Sequence, residues 1–209
     1  MRIFFVRNSE HLGEKKGLWA GPEVGLSDGG RRQAEALCVR LLREHPDAIY
    51  SSDFLRATET IKPLAARIGL EVVKLSALRA FDPGVFLGKT YEETAECLGK
   101  HVWREIITNP NPSKRYFDGG ETLQEAAERA WTGLLAVVDK HSPEERIVIS
   151  THLTIIGCVL CRMLSVPLNK LWFWGGGIVA EHPSITTVAY ENERWCLMHY
   201  GCTEHLVSL

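Results

Sequence analysis

Apolar residues follow two patterns along this chain: short unbroken runs, and longer stretches in which they recur every three or four positions. The unbroken runs are rich in β-branched and aromatic residues and predict buried strands, whereas the recurring pattern predicts amphipathic helices. Strands are predicted at 2–6, 48–50, 70–74 and 146–150. Helices are predicted at 31–44, at 54–68 with Asp53 as the cap, and at 91–97, 101–108, 121–141 and 153–164.

The last part of the chain has a strand pattern only. Two β-like runs, 186–190 and 195–200, flank the polar segment 191–194, and this arrangement predicts a hairpin. Before it, strands alternate with helices, which is typical of a parallel sheet covered on both faces. We therefore expect an α/β fold, a three-layer α/β/α sandwich with a mixed, mostly parallel sheet, in a single domain over residues 1–209. A chain of 209 residues that is 45% apolar suffices for one such core.

Residues 79–120 interrupt the alternation with several prolines and glycines. We expect this segment to form a lid that controls substrate specificity, together with the loop at 13–25 that contains Trp19. Most aromatic residues here, including Phe81, are expected to pack within the lid, and some to offer an apolar wall to an organic group. A further aromatic segment, 172–177, is interpreted as buried packing, or alternatively as a dimer contact or hinge. The chain is expected to be a monomer or a homodimer.

Composition and charge narrow the choice of partners. The formal net charge of −2 gives no reason to expect binding to nucleic acid, and no apolar run approaches the roughly 20 residues that span a membrane. The chain starts with a predicted strand, without a secretory leader, and its six cysteines fall mainly in apolar-periodic segments. Buried free thiols suit a reducing compartment, so a cytoplasmic location is expected. The histidines lack metal-ligand spacing, so neither a metal nor another cofactor is expected.

Side chains that bind anions follow three of the predicted strands. Arg7 ends the first strand, His152 follows the fourth, and Arg56 lies near the start of the helix after the second. Ligands of open α/β sheets bind beyond the carboxyl ends of the strands, and the amino-terminal end of a helix favours an anion. A guanidinium group offers a phosphate group paired donors and a permanent charge. Arg7, Arg56 and His152 are therefore predicted to form a phosphate-binding site.

Several segments, in their order along the chain, resemble the motifs of the histidine phosphatase superfamily, also called phosphoglycerate-mutase-like: 7–10, 26–34, 51–60, 119–122 and 148–152. The resemblance implies a phosphoglycerate-mutase-like fold and hydrolysis of phosphomonoesters through a phosphohistidine at position 8. It also implies that Arg7, Arg56 and His152 bind the phosphoryl group. Because the lid is shorter than the long insertion of the glycolytic mutases, the chain is most similar to the compact phosphatase branch.

The two positions that carry the reactive groups of this family are changed here. Asn8 stands where the resemblance expects the nucleophilic histidine, and Ala80 where it expects the acid that protonates the leaving oxygen. The nitrogen lone pair of an amide is delocalised into its carbonyl, so Asn8 is no practical nucleophile, although it can donate a hydrogen bond to phosphate. Asp82, close behind Ala80, is the candidate replacement acid.

Further positions are expected to face the substrate. The family pattern has Gly-Gly after the second histidine, whereas this chain has Leu153 and Thr154. These larger side chains are expected to narrow the space beside the phosphate. The family pattern also has an Asn-x-Ser segment before the final hairpin, whereas this chain has His182-Pro183-Ser184. His11, three residues past Asn8, is interpreted as a solvated loop histidine, or alternatively as a residue that approaches the pocket. The candidate substrate and lid residues are Ser9, Trp19, Gly21, Phe81, Thr154 and His182.

Three interpretations of function follow, and all have a small phosphorylated metabolite as the partner. The first is a phosphatase whose hydrolysis is impaired by Asn8 and Ala80, with the two residues introduced as a substrate-trapping variant or present naturally. The second is a natural, non-catalytic phosphate-binding protein. The third is an enzyme that uses the pocket for non-phosphoryl chemistry, with His152 or His182 as the general base. Mutase activity is disfavoured because it needs a phosphorylated histidine.

Overall fold

The computed structural model describes residues 1–170 and 181–207, and a six-stranded sheet runs through them. The strands are β1 (Arg2–Arg7), β2 (Ala48–Ser51), β3 (Val72–Lys74), β4 (Arg146–Thr151), β5 (Ile185–Glu191) and β6 (Arg194–Cys202). Their order across the sheet is β3-β2-β4-β1-β5-β6. The first four strands are parallel, whereas β5 runs antiparallel to β1, and β6 antiparallel to β5. The sheet is therefore mixed and mostly parallel, as predicted.

Helices cover both faces of this sheet and complete the three layers. The helices of the described residues are α1 (Asp28–Leu42), α2 (Leu55–Ile68), α3 (Tyr91–Leu98), α4 (Lys100–Thr108), α5 (Leu123–Val138) and α6 (Leu153–Met163). Helices α3 and α4 lie in the segment 79–120, and the other four cover the sheet. The apolar residues of α1 and α2 pack in one core on the sheet, and those of α5 and α6 pack in a second core on the other face. The predicted α/β/α fold class is confirmed.

The two cores meet in β1, whose consecutive side chains point to opposite faces. Phe4 packs with Leu37 in the core under α1 and α2, whereas Phe5 packs with Leu134 in the core under α5 and α6. A strand that is buried on both faces needs apolar residues at every position. This explains the unbroken apolar run at the start of the chain.

The predicted cap of α2 is wrong. Phe54 precedes the helix and no side chain caps it, because the Asp53 carboxylate instead accepts hydrogen bonds from the Arg79 guanidinium, at 2.8 Å from Nε. An ion pair with a distant segment therefore replaces the local cap. Helix α5 begins at Leu123 rather than 121, since Thr122 is its N-cap and forms a reciprocal capping box with Glu125.

Strand β3 is shorter than predicted, because Leu70 is hydrogen-bonded to the end of α2 and Glu71 is not paired in the sheet. Gly69 adopts a left-handed conformation with φ of 70° and ends the helix. The backbone N–H of Leu70 then donates to the Ala65 carbonyl at 3.2 Å, which keeps Leu70 attached to the helix. The strand pairing starts only at Val72.

The segment 79–120 carries helices α3 and α4 and forms a small separate core. Trp19, Phe86, Ile106 and Phe117 are buried in it together. Gly84 has a φ of 55°, and a Cβ atom there would lie 2.0 Å from a backbone oxygen, so this turn requires glycine. The aromatic segment 172–177 lies outside the described residues.

Within the described residues, no helix has the length and apolar character to cross a membrane. Cys38, Cys158 and Cys161 are buried free thiols, as expected from their apolar-periodic positions. Cys97 and Cys196 are exposed, contrary to that expectation. Cys97 lies on the surface helix α3, and Cys196 lies on the edge strand β6, so both positions have an uncovered face.

Candidate active site

Neighbouring parallel strands deliver the first site residues to one edge of the sheet. In the pairing of β1 with β4, Arg7 lies opposite Thr151, so Asn8 and His152 follow side by side. The loop after β2 leads into α2, whose second residue is Arg56. Arg7, Asn8, Arg56 and His152 line one cavity of about 130 Å³. The convergence that was predicted from strand ends and a helix start is present.

Both predicted phosphate-binding arginines are buried, with Arg7 9% and Arg56 4% exposed. Burial lowers the pKa of Arg7, while the Glu14 carboxylate opposes this shift. Burial also lowers the pKa of Arg56 to about 10, which leaves this guanidinium charged at neutral pH. Arg56 Nη1 donates to the Gly21 carbonyl at 2.8 Å, which fixes the orientation of the group. Two charged, poorly solvated guanidinium groups attract an anion more strongly than surface arginines do.

His152 and Asn8 form a buried hydrogen-bonded pair. His152 Nδ1 lies 3.1 Å from Asn8 Oδ1, and Nε2 lies 3.0 Å from the Ser52 hydroxyl. Since Asn8 Oδ1 can only accept, Nδ1 carries the proton and Nε2 accepts from Ser52. Burial and the nearby Arg56 charge hold the pKa of His152 well below its usual value, so the ring is neutral at physiological pH. The Asn8 amide nitrogen donates to the Ser9 carbonyl at 2.9 Å.

The position of the expected acid faces the cavity but provides no proton. Ala80 lines the cavity, and its backbone carbonyl accepts a hydrogen bond from Arg129. Asp82, the candidate replacement, is exposed and is not part of the cavity wall. Its carboxylate accepts from the backbone N–H of Gly84 at 2.9 Å and so stabilises the turn that follows. Asp82 therefore has a local role in this loop and does not approach the arginines.

A carboxylate that sequence reasoning missed lies in the same cavity. Glu14 Oε2 is 2.8 Å from His11 Nε2, and Oε1 is 3.0 Å from His182 Nε2 and 3.7 Å from Arg7 Nη2. Burial alone would raise the pKa of Glu14, but hydrogen bonds from His11 and His182 outweigh it, and this pKa lies well below its usual value. Glu14 is therefore ionised and neutralises part of the positive charge of the cavity.

His11 is not a solvated loop histidine, because its side chain is buried in the cavity wall, in agreement with the alternative interpretation. The Gly13 N–H donates to His11 Nδ1 at 3.2 Å, which bends the loop after β1 back over the site. The signal that would have found this pair is the spacing of His11 and Glu14, three residues apart in a short loop that directly follows Arg7.

The remaining candidate residues fall into two groups. Trp19, Phe81, Thr154 and His182 line the cavity. Ser9 and Gly21 lie behind the wall and position it: the Ser9 N–H donates to the Thr60 hydroxyl at 2.9 Å, and the Gly21 carbonyl holds Arg56. Across residues 1–170 and 181–207, no three His, Cys, Asp or Glu side chains are arranged to hold a metal ion.

Comparison with known proteins gives consistent matches over almost the whole chain. The model of the histidine phosphatase superfamily (branch 1) matches residues 3–203. Phosphoserine phosphatase 1 of Hydrogenobacter thermophilus is 30% identical over 207 residues, which cover 99% of this chain and 94% of the relative. YhfR of Bacillus stearothermophilus has a solved structure with a TM-score of 0.90 at 22% identity, covering 98% of both chains. A mycobacterial glucosyl-3-phosphoglycerate phosphatase solved with VO3 has a TM-score of 0.82 at 25% identity, covering 97% of this chain and 99% of the other.

These matches agree with the sequence motifs and with the sheet order described above. The likeness to YhfR concerns the fold, whereas the family match and the Hydrogenobacter relative concern the sequence itself. Arg7, Arg56 and His152 lie within the matched residues and line the same cavity. On this combined evidence of motif order, fold and near-complete sequence coverage, the chain belongs to the histidine phosphatase superfamily.

Proposed function

We propose that this chain binds a small phosphorylated metabolite in the cavity, and that hydrolysis through residue 8 is impaired. The observation that carries the proposal is the convergence of Arg7, Arg56 and His152 on one cavity. A phosphomonoester dianion is stabilised by charged, fork-shaped donors, and both buried guanidinium groups offer them. The neutral ring of His152 adds a polar contact without adding charge.

The entering dianion competes with Glu14 for the arginines. In the structure this carboxylate lies 3.7 Å from Arg7 Nη2 and is held by His11 and His182. A phosphate dianion carries more charge than a carboxylate, so it binds the arginine pair more strongly than Glu14 does. Repulsion between the dianion and the Glu14 carboxylate nevertheless lowers the binding free energy, unless Glu14 is protonated or turns away. Phosphate affinity should therefore be moderate, and it should rise when this charge is removed.

The same residues support the view that residue 8 does not react. Asn8 has no nucleophilic nitrogen, and its side chain is engaged with His152 and Ser9. Ala80 provides no proton for the leaving oxygen, and Asp82 lies outside the cavity wall. A route that depends on positions 8 and 80 loses both its nucleophile and its acid in this chain.

The substrate class is proposed from the relatives and the size of the cavity. One relative is named a phosphoserine phosphatase and one neighbour a glucosyl-3-phosphoglycerate phosphatase. A cavity of about 130 Å³ is small compared with the roughly 300–1,000 Å³ of sites for drug-sized ligands. A compact phosphate ester, of the size of phosphoserine, fits this space better than a glycosylated one.

A titration of binding tests the proposal. Inorganic phosphate, O-phosphoserine and serine are titrated into the protein by calorimetry, and phosphate release is measured in parallel. We expect binding of the first two ligands, no binding of serine, and loss of binding in Arg7→Ala. The control is Arg67→Ala, since Arg67 lies on the surface and pairs with Glu35. Equal binding of phosphoserine and serine, or unchanged phosphate binding in folded Arg7→Ala, contradicts the proposal.

A further inference from the structure

We propose that His182 and Glu14 form a second reactive pair in this cavity, in which His182 Nε2 accepts the phosphoryl group and Glu14 transfers the protons. The proposal rests on the proposed phosphate site, and it adds slow phosphoryl transfer by a route that avoids residue 8. It is carried by the positions of His182, Glu14 and His11, which form a connected chain of side chains against Arg7.

The backbone of residue 8 orients the ring of His182. His182 Nδ1 lies 2.6 Å from the carbonyl oxygen of Asn8, which can only accept, so Nδ1 carries a proton. The other nitrogen, Nε2, therefore faces the cavity, where it contacts Arg7 Nη2 and Glu14 Oε1. A phosphorus atom held by Arg7 lies within reach of this nitrogen. The ring is only 14% exposed, so water competes little for the position.

Glu14 is oriented in turn by His11. The Gly13 N–H donates to His11 Nδ1 at 3.2 Å, so His11 Nε2 carries the proton that is donated to Glu14 Oε2 at 2.8 Å. Glu14 Oε1 then points to His182 Nε2 at 3.0 Å. A nucleophile, a base in hydrogen-bond reach and a third group that orients the base are the parts that nucleophilic catalysis requires.

Other residues of the described cavity wall do not offer this chemistry. The ring nitrogens of His152 are held by Asn8 and Ser52, neither of which an entering phosphate draws away as it does Arg7 from His182, and the ring is buried. Among the described residues that line the cavity, Glu14 is the only carboxylate. The sequence also shows a reciprocal exchange: Asn8 stands where a histidine was expected, and His182 where an asparagine was expected.

The reaction balances with water as the only co-reactant. The phosphate takes over the Arg7 donor and so separates this guanidinium from His182 Nε2. The proton that Nε2 shares with Glu14 moves to Glu14, and the freed Nε2 lone pair forms a P–N bond. The ester P–O bond breaks, its electron pair leaves with the ester oxygen, and Glu14 protonates that oxygen to give the alcohol. Glu14 then takes a proton from water, the hydroxide forms a P–O bond, and the P–N bond breaks. Its electron pair returns to Nε2, inorganic phosphate leaves, and the proton on Glu14 passes back to Nε2, which restores the starting state.

The experiment is a phosphorylation map of the wild-type chain. The protein is incubated with p-nitrophenyl phosphate, quenched in base, where phosphohistidine survives, and digested for mass spectrometry. We expect one phosphorylated peptide, with the modification on His182. In His182→Asn the label should be lost. In Glu14→Gln the label should accumulate, because p-nitrophenolate leaves without a proton while the attack of water slows by roughly 10²-fold.

Control variants and binding measurements distinguish a failure of the reactive pair from a failure of the proposed phosphate-binding site. His101→Asn and Glu71→Gln change exposed residues away from the cavity and should leave the label unchanged. Phosphate binding is measured by calorimetry on every variant. The phosphorylation map of the wild-type protein is informative even if one of the variants does not fold. Phosphate binding without a label, or a label on another residue, overturns the reactive pair and leaves the binding site standing. Absence of phosphate binding overturns both.

Discussion

Replacing Arg56 with methionine tests whether the guanidinium group of Arg56 contributes to phosphate affinity at the proposed site. Arg56 is 4% exposed and lies at the second position of α2, so its charge is little screened by water and faces the cavity proposed to hold the anion. Methionine keeps the length and the apolar stem of the side chain but removes the guanidinium group. The pKa of Arg56 is about 10, so the wild-type group is charged throughout a titration at neutral pH.

The magnitude follows from the hydrogen bonds that are lost. A hydrogen bond to a charged group contributes about 1.5–3 kcal/mol, and each 1.4 kcal/mol corresponds to a tenfold change in affinity. We therefore expect Arg56→Met to weaken phosphate binding by about 10- to 150-fold. The lost bond from Arg56 Nη1 also leaves the Gly21 carbonyl without this donor, so the free energy of unfolding should fall as well.

The assay is calorimetric titration of inorganic phosphate into the wild type, Arg56→Met and the control Arg79→Met. Arg79 is an exposed arginine that pairs with Asp53 outside the cavity, and its loss should change phosphate affinity by less than about twofold. Urea unfolding confirms that each variant is folded. A dissociation constant for folded Arg56→Met within twofold of the wild type would refute the reasoning, because the buried guanidinium would then not bind the anion.

Three further predictions concern the altered positions, the missed carboxylate and the fold. Asn8→His combined with Ala80→Glu should raise kcat for p-nitrophenyl phosphate by at least about 10²-fold; no gain with intact phosphate binding contradicts the proposed cause of impairment. The lowered pKa of Glu14 adds stability that is complete above its unfolded pKa of about 4.3 and is lost as pH falls toward the folded value. The stability lost in Glu14→Gln should therefore shrink below about pH 4.3, and a pH-independent difference in urea unfolding excludes this linkage. Thr122→Ala should cost about 1 kcal/mol, since it removes the side-chain cap of α5; an unchanged unfolding midpoint shows that the cap is dispensable.

Local periodicity predicted the elements of this fold because most of them are buried on a defined face. The apolar run of β1 required a strand covered on both sides, and the structure places Phe4 and Phe5 in separate cores. The site residues Arg7 and His152 followed from the same logic, since parallel strands end at a common edge. The length of β3 was not predictable in this way, because its first residues are held by a hydrogen bond to the end of α2.

The contacts that the sequence did not reveal join distant segments. Asp53 has the residue type and position of a helix cap, yet it pairs with Arg79. The only local signal for Glu14 is its spacing from His11, and its place in the cavity depends on contacts with His11 and His182 and on the turn at Gly13. The segment 79–120 has a core of its own, in which Trp19 also packs. Such pairings are set by tertiary structure and leave little local signal.

The central claim is that Arg7 and Arg56 jointly hold a phosphate dianion, and a crystal structure at saturating phosphate measures this most directly. The account predicts a tetrahedral anion whose oxygens lie within about 2.7–3.1 Å of guanidinium nitrogens from both residues, with the Glu14 carboxylate moved away from Arg7. An anion bound elsewhere, or a cavity without phosphate at a concentration that saturates binding in solution, would contradict it.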